Sequence, residues 1–89
     1  MNKTFSATLL KDKDKEKGGW TYIIWSDSAA FFGTKKPVKV KGTIDGVEFQ
    51  TTFLPVGDGT HLLPVKAAIL AAVKKQQGDE VVVCLTDRL

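Results

Sequence analysis

The sequence holds a single cysteine and a single histidine among its 89 residues. One cysteine excludes an internal disulfide, and Cys84, set in Val81-Val82-Val83-Cys84-Leu85, reads as an inert thiol on a core or surface strand. One histidine, one cysteine and scattered carboxylates give no ligand spacing for a metal, so neither a metal nor any other cofactor is expected. Nowhere do the ~18 consecutive apolar residues of a membrane span occur. The segment after Met1 alternates polar and apolar residues instead of forming the hydrophobic run of a secretory signal, and a cytoplasmic address is the expectation. The phosphate-cradling GxxxxGK[ST], a helix-opening GxGxxG and the GxSxG elbow are all missing, which argues against nucleotide-dependent and serine-hydrolase chemistry. Asp58-Gly59-Thr60 has the letters of the aspartic-protease triplet, but that chemistry needs two such loops in an apolar setting. No catalytic residue is assigned. A large excess of one charge is missing too: 13 basic and 10 acidic side chains leave +3 and a pI of about 9.1, which permits an acidic partner without demanding one.

What is present is the composition of an ordinary globular domain, 43% hydrophobic and 26% charged, with a length that can bury one core and not two. Residues 1–89 are therefore read as one domain, without internal repeats. Phe5, Ala7 and Leu9 share one parity and Thr4, Ser6 and Thr8 the other, the mark of a strand with one wet face. Lys11-Asp12-Lys13-Asp14-Lys15-Glu16-Lys17 alternates in sign before Gly18-Gly19 and reads as a solvated loop. Trp20-Thr21-Tyr22-Ile23-Ile24-Trp25 is apolar or aromatic at both parities, as in a strand covered on both faces. Ser26-Asp27-Ser28 can cap a helical turn that Gly33 stops in a left-handed conformation, with Phe31 and Phe32 both plugging the core.

The sharpest signal is a hairpin. Val38, Val40 and Ile44 alternate with Lys39, Lys41 and Thr43 up to Asp45-Gly46, a type I′ turn pair. That turn pairs Ile44 with Val47, Gly42 with Phe49, Val40 with Thr51 and Val38 with Phe53, and leaves Lys41 opposite Gln50 and Lys39 opposite Thr52. Gly42 then leaves a gap for the Phe49 ring. After the Gly57-Asp58-Gly59 loop and an extended piece over 60–63, Pro64 is expected to open an amphipathic helix over residues 64–76 with Val65, Ile69 and Val73 inward. Gly78-Asp79 then leads into a closing strand from Glu80. The sum predicts a mainly β fold: a barrel of about six mostly antiparallel strands, its mouth capped by one α-helix, with one short helical turn besides.

Two resemblances rest on these segments. Leu63-Pro64-Val65, the helical stretch and Gly78-Asp79 resemble the swapped-hairpin unit of the AbrB-like transition-state regulators and antitoxins, implying a double-split pseudobarrel and, by analogy, a nucleic-acid partner. Phe5-Ser6-Ala7-Thr8-Leu9, Gly18-Gly19-Trp20, Phe32-Gly33, the 38–46 hairpin arm, Gly57-Asp58-Gly59-Thr60-His61, Leu63-Pro64-Val65 and Gly78-Asp79-Glu80-Val81 together resemble the small bacterial domain of unknown function numbered nineteen-oh-five. That family implies a compact β-barrel with one helix, known catalytic residues in no position, and relatives fused to a helical domain named after bacteriocin protection. A helical partner domain or protein is therefore one candidate partner.

Three functional readings stay open. The first is a non-enzymatic binding or interaction module of unassigned partner, with a closed single-chain barrel preferred over a swapped dimer. The second is a nucleic-acid binder using Lys35, Lys36, Lys39 and Lys41, four ammonium groups within roughly 20 Å at ~3.3 Å per residue. Against it, lysines on an edge strand also keep a sheet soluble, and Glu48 dilutes the field. The third is a hydrolase or ligand-binding barrel around Asp58 and His61, with Trp20, Trp25 and Phe32 lining the mouth. The bland alternative makes His61 a polar turn residue, Asp58 a cap on backbone N–H groups and the aromatics core filling.

Overall fold

A computed structural model describes residues 2–11 and 21–89; most of the charged loop, Gly18-Gly19 and Trp20 lie outside the described residues. The elements in order are β1 (Lys3–Thr8), β2 (Leu10–Lys11), β3 (Thr21–Trp25), α1 (Ser28–Phe32), β4 (Val38–Ile44), β5 (Val47–Pro55), β6 (His61–Val65), α2 (Ala67–Val73) and β7 (Glu80–Arg88). The strands form one antiparallel sheet in the order β1-β7-β4-β5-β6-β3-β2. Its first and last members are consecutive in the chain, separated only by Leu9, so the sheet curls back on itself. Leu9 holds the joint: its N–H donates to the Asp79 carbonyl at 2.8 Å, its carbonyl accepts from the Gly78 N–H at 2.9 Å, and its side chain is fully buried. The mainly β, barrel-like architecture is the expected one, with the expected first strand divided in two at this residue.

The β4–β5 hairpin has the register that the alternation and the Asp-Gly turn imply, from Ile44↔Val47 to Val38↔Phe53. Asp45 and Gly46 both have positive φ, 48° and 84°, as a type I′ turn requires. Val38, Val40, Ile44, Phe49 and Phe53 are buried, joined by Ile23, Leu63, Val81, Val83 and Leu85 from facing rows. On β7 the other parity turns outward: Val82 is exposed, and the half-buried Cys84 lies with its Sγ 3.2 Å from Thr4 Oγ1.

Gly42 is needed for a reason other than the Phe49 ring. A Cβ there would collide with the Cys84 carbonyl oxygen of β7, with the carbonyl carbon and Leu85 Cα both at 3.0 Å. The β4–β7 ladder passes from Lys41↔Asp87 to Gly42↔Leu85. Thr86 is thus the extra residue of a bulge, and its hydroxyl donates to the Lys41 carbonyl at 3.1 Å.

The helical expectations need two corrections. Pro64 and Val65 do not start a helix: they finish β6, pairing with Tyr22 and Thr21, and the helix runs only from Ala67 to Val73. A proline followed by apolar residues at four-residue spacing fits a helix start, but a strand partner forty residues upstream wins Val65 for the sheet. Lys74, at φ 58°, ends the helix ahead of Gly78. α2 lies against the sheet through half-buried Ile69, Leu70 and Val73. The short turn forms where expected and ends in left-handed Gly33, but only Phe32 enters the core; Phe31 is 40% exposed and leans on Trp25.

Asp45 does more than turn the hairpin. Its N–H donates to the Val82 carbonyl at 2.9 Å, its Oδ1 accepts from the Val82 N–H at 2.8 Å, and its Oδ2 meets Lys75 Nζ, which also donates to the Glu80 carbonyl at 2.7 Å. The Lys75 ammonium, then the Val82 N–H, hold the Asp45 carboxyl below its ordinary value of 3.8. A carboxyl depressed in the folded chain adds stability above its unfolded pKa and loses it as pH falls through the folded one. We expect Asp45→Asn, which keeps the positive-φ tolerance, to lose about 1 kcal/mol near pH 7. Its urea midpoint should also fall less steeply than that of the parent below pH 3.8; identical pH profiles would remove the carboxylate from this role.

Candidate functional site

β6 points His61, Leu63 and Val65 inward, and all three are buried. His61 Nε2 lies 2.9 Å from the Lys36 carbonyl oxygen and Nδ1 lies 2.7 Å from Ser28 Oγ. A carbonyl can only accept, so Nε2 carries a proton, and in the neutral ring Nδ1 then accepts from the Ser28 hydroxyl. The imidazole stands edge-on to Phe32 and Phe53, with centroids 5.8 and 6.4 Å away. Trp25 completes the cluster, 5.6 Å from Phe32 and stacked on Phe5 at 4.3 Å. A hydroxyl bonded to imidazole has the parts of a nucleophile and its base. Here both members are wholly buried, which denies them a substrate.

The structure therefore brings Trp25, Phe32 and His61 together as packed core, and His61 is a buried strand residue where the sequence suggested a polar turn. Asp58 lies apart. It is exposed, and its Oδ1 accepts from the Thr60 hydroxyl at 2.6 Å and from the Thr60 N–H at 3.0 Å, bonds that hold its carboxyl below the ordinary range. With Ser28 and Lys36 on its two nitrogens, His61 has no ring atom left for Asp58. Trp20, the remaining member of that expected group, lies outside the described residues. Among the described residues, no three His, Cys, Asp or Glu side chains gather as metal ligands, and no helix is long and apolar enough to cross a membrane.

Lys35, Lys36, Lys39 and Lys41 are all exposed. The strand that carries the last two is not an edge, however: β4 lies between β5 and β7. Its outward row mixes charge, since Asp87 stands opposite Lys41 and Glu48 opposite Thr43. The neighbouring Arg88 turns away to donate to the Phe32 carbonyl at 3.0 Å, with its guanidinium 5.7 Å from the Phe32 ring centroid.

A third locus was not singled out by sequence reading. β5 and β6 pair at Leu54↔Leu62 and Pro55↔His61; opposite Thr52 stands Pro64, which has no N–H to continue the ladder, and β6 ends at Val65 while β5 runs on. The wedge between them opens on a cavity of about 310 Å³ whose apolar wall is Ile44, Phe49, Pro64, Val65 and Ile69. Glu48 and Gln50 stand on the β5 lip and Lys66 on the opposite lip. The direction of the backbone groups follows from two bonds at the ends of β4: the Asp45 N–H donates to the Val82 carbonyl of β7, and the Lys39 carbonyl accepts from the Leu89 N–H just past it. Odd residues of β4 thus face β7 and even ones face β5, so on β5 the odd residues bond to β4 while Thr52 faces Pro64 and Glu48 and Gln50 face the wedge. The same parity on β6 turns the nitrogen of Pro64, which has no hydrogen, toward the wedge. The sequence signal was a proline inside an alternating stretch, which marks a strand without a neighbour on its nitrogen side.

The description "domain of unknown function (DUF1905)" belongs to a family model that matches residues 5–85. The chain is a member of that family. No curated protein matches the DUF1905 chain. Membership covers the whole sheet except the first residues of β1 and the last of β7, so the wedge, the buried histidine and the lysine row all lie within the family's bounds.

Proposed function

We propose that this chain is a non-catalytic, cytoplasmic binding module whose ligand seats in the wedge between β5 and β6. The observation that supports this reading is the wedge itself: an apolar hollow in the size range of ligand sites, with the unpartnered backbone groups of Glu48 and Gln50 along one side. Acid/base chemistry has less support, because His61 is wholly buried with both ring nitrogens bonded and Asp58 lies out of its reach. Titrating isotope-labelled protein with a fragment library should perturb amides over residues 48–52 and 65–69. Hits that map only to other surfaces would overturn the reading.

The exposure of Lys35, Lys36, Lys39 and Lys41 favours a second reading, docking on nucleic acid. Asp87 and Glu48 on the same outward face weaken it. We expect no retardation of generic duplex DNA or RNA even near ~50 mM salt, where phosphate contacts are strongest. A salt-sensitive shift lost in the Lys39→Gln/Lys41→Gln double variant would favour the lysine row instead.

A further inference from the structure

The two lips of the wedge are chemically unequal. β5 runs on past the end of β6 at Val65, and there the N–H and C=O groups of Glu48 and Gln50 point away from β4 with no backbone partner among the described residues. The last β6 residue on their side is Pro64, opposite Thr52; it cannot donate to continue the ladder. Unpaired strand edges of this kind accept an added strand. Small domains usually cover or bend such an edge; here it overhangs an apolar hollow instead.

The side chains state what the added strand should carry. In a strand laid along β5, the residue opposite Phe49 points inward, over Phe49 and Ile69, and a bulky apolar side chain fills that space. Residues opposite Glu48 and Gln50 point outward. Glu48 is exposed, faces Thr43 on β4 and has no ion-pair partner among the described residues, so its neighbour on the added strand is best basic. Lys66 on the other lip, exposed and likewise unpaired, disfavours a second basic residue on its side. We infer that the β5 edge over Glu48–Gln50 captures an extended peptide as an added strand, anchored by a bulky apolar side chain in the wedge with a basic residue beside it. This rests on the wedge being the binding site.

The probe is a random heptapeptide display library panned on the full chain. Selected peptides should share a bulky apolar residue next to Lys or Arg, perturb the amides of Glu48 and Gln50, and slow their hydrogen exchange. N-methylation of the peptide residue that bonds to β5 should weaken binding at least tenfold, and Glu48→Lys should switch the preferred neighbour from basic to acidic. If the peptides perturb the wedge but N-methylation changes nothing, strand addition is wrong while the wedge remains the site. If they perturb another face, both readings fail. If no peptide is selected and light scattering shows a dimer that a Gln50→Pro variant dissociates, the occupant is a second copy and the peptide inference is overturned.

Discussion

Gly42→Ala should lower the unfolding free energy by about 4 kcal/mol, at the far end of what a single methyl group does. The added carbon has no free volume, because it meets the carbonyl oxygen of Cys84, a backbone atom fixed by the β4–β7 ladder. Relief requires the two central strands to part at the bulge, where the core rows Val40, Ile44, Val83 and Leu85 face each other. Gly46→Ala provides the control. It too lacks a side chain, and has φ 84°, but open space surrounds it, so its cost is conformational only, about 1 kcal/mol. Urea denaturation of both variants reads the difference directly. Equal losses would mean that close approach of the strands is not what requires glycine at position 42.

His61→Phe should cost about 3 kcal/mol, and adding Ser28→Ala should restore roughly 1 kcal/mol of it, since leaving one buried partner alone is worse than removing both. Phenylalanine keeps the ring between Phe32 and Phe53 but strands the Ser28 hydroxyl and the Lys36 carbonyl. The pair joins α1, β6 and the 34–37 segment. A double-mutant cycle in urea gives the coupling. Strict additivity would show that the bond contributes nothing.

The hairpin could be read residue by residue because both of its determinants are local: an alternation of period two and an Asp-Gly pair that fixes the register. Gly33 was legible for the same reason. What escaped depends on distant partners. Val65 looked helical until Thr21 claimed it, Lys39 and Lys41 looked like edge residues until β7 filled the far side of β4, and nothing near Asp45 announces Lys75 or Val82. His61 is an intermediate case, since its shared parity with Leu63 and Val65 placed it on the inner row once 61–65 is taken as a strand. The wedge required knowing that β6 ends opposite the middle of β5, which depends on how two distant strands line up and not on either sequence alone.

The antiparallel pairing of β1 with β7 sets Lys3 beside Leu85 and Thr8 beside Glu80. A load pulling those two strands apart at the Lys3 end is therefore carried by one rung at a time, and the ladder unzips in sequence instead of shearing as a block. Peeling next meets Leu9, where the backbone is gripped from Asp79 and Gly78 and the side chain is buried, so resistance rises at a single residue between β1 and β2.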